Sequence, residues 1–93
     1  MFSIIMPTFN NLEYLKLCIE SLKKNSSFNN ELIIHVNEGT DGSFDYVKQN
    51  KINYTYSKDN IGLCSAVNTA AKKATTKYIL YTHDDMYFCP GWD

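Results

Sequence analysis

An apolar, β-favouring run, Tyr78-Ile79-Leu80-Tyr81-Thr82, leads straight into His83-Asp84-Asp85 near the end of this 93-residue chain. The run suits a buried strand, and the cluster falls where that strand would emerge from a sheet. Neighbouring carboxylates repel, and a hard divalent cation carrying a phosphorylated ligand relieves the repulsion through oxygen ligands. Asp85, Asp84 and His83 are therefore candidate metal ligands. Turn formation or helix capping is the competing use of acidic residues at such a place.

The elements that must position this cluster can be read from the start of the chain. Phe2-Ser3-Ile4-Ile5-Met6 is a β-branched run, and Pro7, which has no N–H for a sheet ladder, is expected to end it. Asn10 stands three residues before Glu13 as in a capping box, and Leu12, Leu15, Ile19 and Leu22 recur on one helical face. Glu31 to Val36 reads as a second strand opening into the polar segment Asn37 to Gly42. Ser43 to about Gln49 is expected to form a short helix burying Phe44 and Val47, and Ile52 to Tyr56 a third strand. Leu63, Ala66, Val67, Ala70, Ala71 and Ala74 form one apolar stripe on a helix expected from Ile61 to about Thr75, with Asp59 or Asn60 as its cap.

The resulting order β-α-β-α-β-α-β calls for an α/β fold: a Rossmann-like parallel sheet with right-handed crossovers and helices on both faces. Ligands of such sheets sit beyond the carboxyl ends of the strands. All the strand ends here carry polar loops, at Thr8 to Asn10, Asn37 to Asp41, Lys58 to Asn60 and His83 to Asp85. One edge of the sheet should thus form a polar pocket.

Bulk properties narrow the functions. Hydrophobic residues make up 44% and charged residues 20%, with a net charge of -1, the balance of a single globular domain without a basic field for nucleic acid. Cys18, Cys64 and Cys89 show neither zinc-ligand spacing nor a disulfide framework, which fits a reduced, cytoplasmic setting. Apolar runs are too short for a transmembrane segment. Neither a P-loop nor a G-x-G-x-x-G fingerprint is present, and no G-x-S-x-G elbow supports a serine hydrolase. His35, inside a strand, reads as a structural histidine.

Taken in order, the motifs resemble the N-terminal, nucleotide-sugar-binding half of a family 2 glycosyltransferase of the GT-A fold. Ser3 to Asn10 is similar to that family's first strand ending in Pro-Thr-Tyr-Asn, and Glu31 to Gly42 to its Glu-Ile-Ile-Val-Val-Asp-Asp-Gly-Ser-x-Asp segment. Asn60-Ile61-Gly62 followed by Ala66 and Asn68 resembles its Asn-x-Gly and small-residue helix. Lys77 to Asp85 resembles the strand leading to its Asp-x-Asp metal motif, and Pro90-Gly91-Trp92 the segment that follows.

The resemblance implies a nucleotide diphosphate sugar donor, an acceptor hydroxyl of unstated class, and a divalent metal, Mg or Mn. It implies that Thr8 and Phe9 line the base, that Glu38 accepts a hydrogen bond from base or ribose, and that Asn10, Asn37, Asn60 and Asp84 complete the nucleotide-binding set. Asp85 falls on the metal-ligating position, with Asp84 second and His83 third. Asn37 and Glu38 replace two aspartates, and His83 stands where the first aspartate of Asp-x-Asp is usual. No residue matches the catalytic base, which the family places beyond Asp93. The chain is accordingly expected to be a truncated domain, inactive alone and prone to self-association along an exposed sheet edge, with a membrane-peripheral location of the full-length protein left open. A non-catalytic nucleotide-sugar-binding module and, less favoured, a receiver-like Mg-binding signalling domain are the alternatives. The latter needs its acidic pair after the first strand, where Thr8-Phe9-Asn10 stands.

Overall fold

A computed structural model describes residues 1–93 and contains seven elements: β1 (Ser3–Phe9), α1 (Leu12–Asn25), β2 (Glu31–Asn37), α2 (Ser43–Gln49), β3 (Asn53–Ser57), α3 (Leu63–Ala71) and β4 (Ile79–Tyr81). The strands form one parallel sheet in the order β3-β2-β1-β4. The chain therefore starts in the middle, winds outward through β2 to β3, and then crosses back over β1 to lay down β4. Right-handed crossovers running in opposite directions put their helices on opposite faces. Leu15, Cys18, Ile19 and Leu22 of α1 and Val47 of α2 accordingly pack with Ile4, Met6, Ile34 and Val36, whereas Ala70 of α3 packs with Ile5 and Ile33. The alternation of side chains along β1 and β2 thus feeds two cores from one continuous apolar run.

Pro7 does not end β1, which continues to Phe9. The reason lies in the ladder. Ser3 N–H donates to Tyr78 O, and Ile5 O accepts from Thr82 N–H, so the odd-numbered residues of β1 turn their main-chain groups toward β4. Pairing with β4 stops at Ile5 opposite Tyr81. The missing N–H of Pro7 thus faces a side where no strand asks for it, while Met6 and Thr8 keep the pairing with β2.

Three further expectations are corrected. Asn10 is not the cap of α1: it sits at φ 44°, Asn11 is the N-cap without a side-chain bond, and the N–H of Leu12 instead donates to Asp41 Oδ2 at 2.9 Å. The third helix runs only from Leu63 to Ala71, because Gly62 at φ 85° turns the chain immediately before it and Asn60 Oδ1 accepts from the Gly62 N–H instead of capping the helix. The strand before the acidic cluster is a three-residue edge strand, not a buried one: Ile79 is 54% and Tyr81 41% exposed, since α3 packs on β1 and β2 and leaves that flank of β4 uncovered.

Beyond β4 the chain folds back along α1. Phe88 N–H donates to Ser21 Oγ, Asn25 Nδ2 donates to Phe88 O, and Trp92 packs its ring against Phe2 and Phe88. The Asp93 carboxylate accepts from the main-chain N–H groups of Ser27 and Phe28 and from Asn30 Nδ2. Burial works against its ionisation, but these bonds outweigh it and hold the carboxyl below its ordinary value.

Candidate donor-binding cleft

The point where the strand order reverses, between β1 and β4, opens beyond their carboxyl ends into a cavity of about 330 Å³. Such a switch point separates the loops that follow the two strands and leaves a crevice between them. Pro7 to Asn11 form one wall, Asn37, Asn60, Gly62 and Leu63 the second, and His83 and Asp84 the third.

The walls are joined by side chains. Thr8 Oγ1 donates to Asp84 Oδ2 at 2.7 Å, and Asn11 Nδ2 donates to Asp84 Oδ1 at 3.3 Å. Both carboxylate oxygens of Asp84 are thereby held by neutral donors, and each keeps a lone pair for a ligand. Beneath them, the Cys18 thiol donates to His83 O at 3.8 Å. Burial, joined by the charges of Asp84 and Asp85 and opposed by a main-chain bond at Met86, pushes that thiol up to about 11, so it stays protonated and is no nucleophile.

On the second wall, Asn37 is buried at the end of β2, where Oδ1 accepts from Ser57 Oγ and from the Ile61 N–H, each at 3.1 Å. Behind it His35, paired in register with Thr55, places Nδ1 2.6 Å from Thr55 Oγ1 and Nε2 3.0 Å from Ser57 Oγ. Desolvation holds this imidazole below its ordinary value, against a smaller upward pull from the neighbouring Asn37 amide, so it is a neutral structural histidine.

The cavity lining brings together Thr8, Phe9, Asn10, Asn37, Asn60, His83 and Asp84. Phe9 is 48% exposed, and Asn10 Nδ2 donates to Thr40 Oγ1 at 3.3 Å. Glu38 and Asp85 are not part of the lining. Glu38 sits at φ 61° and donates its N–H to Ser57 O, which ties the main chain there to β3. Asp85 is exposed just beyond Asp84. His83 turns its ring toward Tyr81, with centroids 5.3 Å apart.

Sequence reading missed Asn11 and Ser57. The signal for Ser57 was present, since a histidine inside a strand needs hydroxyl partners on the neighbouring strand. Asn11 carried no such signal, because its partner Asp84 lies 73 residues away.

No group of three His, Cys, Asp or Glu side chains converges as a protein-built metal cage. The donor set fits a different kind of site. Mg2+ and Mn2+ in phosphate chemistry need only one or two carboxylates, because phosphate oxygens and water fill the rest of the shell. Asp84, with lone pairs to spare at the cavity wall, and Asp85, exposed beside it, meet that requirement.

Comparison with known proteins gives this geometry its context. Residues 3–93 match glycosyl transferase family 2. An uncharacterized glycosyltransferase of Rickettsia prowazekii is 34% identical over 90 residues, covering 92% of this chain and 28% of the relative. The uncharacterized glycosyltransferase EpsJ of Bacillus subtilis is 34% identical over 90 residues, covering 91% of this chain and 26% of the relative. Residues 1-349 of S. aureus TarS, solved in complex with UDP-GlcNAc, align with a TM-score of 0.77 at 29% identity, over 92% of this chain and 27% of that one. The mannosyltransferase PcManGT of Pyrobaculum calidifontis, in complex with GDP-Man and Mn2+, aligns with a TM-score of 0.79 at 20% identity, over 92% of this chain and 28% of that one, a likeness of fold alone. The chain thus spans less than a third of the length of these relatives. No helix is long and apolar enough to cross a membrane. With its sheet order, its cleft at the switch point and a match along nearly its whole length, the chain belongs to glycosyl transferase family 2.

Proposed function

We propose that these 93 residues are the donor-binding part of a glycosyltransferase that moves a sugar from a nucleotide diphosphate sugar to an acceptor hydroxyl. The observation that carries this reading is the polar cavity at the β1–β4 switch point, whose walls are joined by the bond from Thr8 to Asp84, in a chain of this family. TarS, bound to UDP-GlcNAc in its own structure, supports a uridine nucleotide as the first ligand to try.

In this reading Phe9 offers its ring face to the base at the rim, Asn37 and Asn60 hold the nucleoside on the second wall, and Asp84 orients the ribose or the metal-bound diphosphate. Asp85, with Asp84, would hold a divalent cation, whose charge offsets the negative charge that builds on the departing diphosphate. Transfer by a single displacement, in which the acceptor oxygen bonds to the anomeric carbon as the diphosphate oxygen leaves, inverts that carbon. The acceptor site and its proton-abstracting base belong, in this proposal, to a part of the protein outside residues 1–93, and the isolated chain binds donor without turning it over.

Calorimetric titration of the folded chain with UDP, with and without Mn2+, tests the reading. Metal-dependent binding that weakens about tenfold or more in Asp85→Ala supports it, that loss being the size expected for a charge-assisted contact. A folded chain that binds no UDP overturns the nucleotide assignment. Binding of equal strength without metal and in Asp85→Ala removes the metal from it.

A further inference from the structure

The turn that carries Asp84 and Asp85 leaves the sheet with no ladder to guide it. Pairing of β4 with β1 ends at Tyr81, and the last main-chain bond from this segment to a strand runs from Thr82 N–H to Ile5 O. Beyond that point α1 takes over with side chains. Ser21 Oγ accepts from Phe88 N–H at 2.9 Å, and Asn25 Nδ2 donates to Phe88 O at 2.7 Å. Both main-chain groups of Phe88 are thus held by residues four apart on one face of the helix, as a neighbouring strand would hold them. One turn earlier on the same face, the Cys18 thiol reaches His83 O at 3.8 Å. Cys18, Ser21 and Asn25 form a single stripe about 10 Å long that grips the segment on both sides of the acidic turn.

The helix fixes the polarity of this grip. Ser21 Oγ donates its one proton to Cys18 O at 2.7 Å, so its oxygen can only accept, and the Phe88 N–H is the donor it meets. With Ser21 only 2% exposed, water has little access to replace a partner that is lost. Packing of α1 itself rests on Leu15, Ile19 and Leu22, which do not need these polar bonds.

A cation depends on the grip more than the fold does. Neighbouring carboxylates repel and separate unless the main chain beneath them is held. Mg2+ tolerates little departure from ideal ligand positions, so a turn that is already in place spares binding the cost of ordering it.

Resting on the metal-assisted reading above, we propose that Ser21 and Asn25 are positioning residues for the divalent cation, holding Phe88 so that the Asp84-Asp85 turn is set before the ion arrives. Neither residue lines the cleft. They act through the main chain of the segment that follows the carboxylates.

Two ligands and three variants test the assignment on the 93-residue chain. UDP with Mn2+ needs the acidic turn, whereas uridine, which has no diphosphate to reach a cation, reports on the rest of the cleft. Ser21→Ala leaves the Phe88 N–H without its acceptor, and Asn25→Asp sets a carboxylate against the Phe88 carbonyl. Each should weaken UDP in Mn2+ by about tenfold, the lower end for loss of a group that orients metal ligands, while uridine affinity by NMR titration stays within about twofold of the parent. Val47→Ala, which removes buried apolar volume on α2, lowers stability by another route and should leave both affinities unchanged. UDP bound in Mn2+ by both Ser21→Ala and Asn25→Asp as tightly as by the parent overturns the proposal and leaves the nucleotide and metal readings intact. So does an equal loss in Val47→Ala, or a loss of uridine affinity that matches the loss for UDP. If Ser21→Ala fails to fold, the half-buried Asn25→Asp decides alone. A folded parent that binds UDP equally with and without Mn2+ removes the metal and this proposal together, and one that binds no UDP overturns the nucleotide reading as well.

Discussion

Thr8 Oγ1 and Asp84 Oδ2 lie 2.7 Å apart although 76 residues separate them in the chain. Replacing the hydroxyl by a methyl of nearly the same shape, Thr8→Val, leaves the partly buried carboxylate short of a donor. The expected cost is about 1–3 kcal/mol of folding stability, with weakened UDP binding, whereas Thr8→Ser retains most of both. Urea denaturation of the three proteins, with UDP titration of each, reads this directly.

Asp41 ties two helix starts together, Oδ2 accepting from Leu12 N–H of α1 and Oδ1 from Ser43 N–H of α2. Asp41→Ala should cost about 1–2 kcal/mol, at the upper end for a cap because it frees two helices. Burial opposes ionisation of this carboxyl, but the hydrogen bonds from Ser43 and Leu12 together outweigh it and hold it below its ordinary 3.8. The stabilising contribution is therefore complete above that value and disappears as pH falls through the lowered folded value. The stability difference between parent and Asp41→Ala should shrink in acid, as paired denaturation curves would show.

His35 titrates with the same sign for a different reason. Burial makes the folded chain a poorer proton acceptor than the unfolded one, whose imidazole has the ordinary 6.5. Stability is then full above that pH and declines as pH falls toward the depressed folded value. Denaturation midpoints at about pH 7.5 and about pH 5 should differ more for the parent than for His35→Gln, which keeps polar contacts to Thr55 and Ser57 but cannot take up a proton.

Gly39 follows Glu38, and both have positive φ, at 69° and 61°. A Cβ on Gly39 would lie 2.6 Å from Val36 Cγ1 and 2.8 Å from Phe44 Cβ, so it would drive α2 away from β2. Gly39→Ala is expected to cost about 1–3 kcal/mol, from backbone strain and overpacking together, measured by thermal or urea unfolding.

What could be read from the sequence follows the range of the interactions involved. The helix from Ser43 to Gln49 was readable to its ends because Gly42, Ser43 and the Phe44–Val47 spacing are local. The parallel sheet and the convergence of polar loops followed from the β-α alternation, whereas the strand order β3-β2-β1-β4 did not. Pro7 and Asn10 misled because their meaning depends on partners elsewhere: where β4 stops pairing decides whether a proline is tolerated, and Asp41, 29 residues from Leu12, takes the capping role. Thr8, Asn37 and Asp84 were named from motif position, but that their polar atoms are engaged with Asn11, Ser57, Ile61 and one another belongs to tertiary geometry. Glu38 and Asp85 fall outside the lining for the same reason, since the pattern gives a place in the chain and not a direction for the side chain.

The short, exposed β4 gives the cleft walls of unequal firmness. The walls carrying Thr8 and Asn37 are anchored in seven-residue strands at the centre of the sheet, while Asp84 hangs from a three-residue strand at its margin. Local opening is cheapest where few ladder bonds and little apolar contact oppose it. Amide exchange should therefore be fast at Ile79 to Asp84 and slow at Ile33 to Val36. A ligand that spans the cleft would act as a clasp, fastening the margin of the sheet to its centre and slowing exchange along β4 far more than along β2.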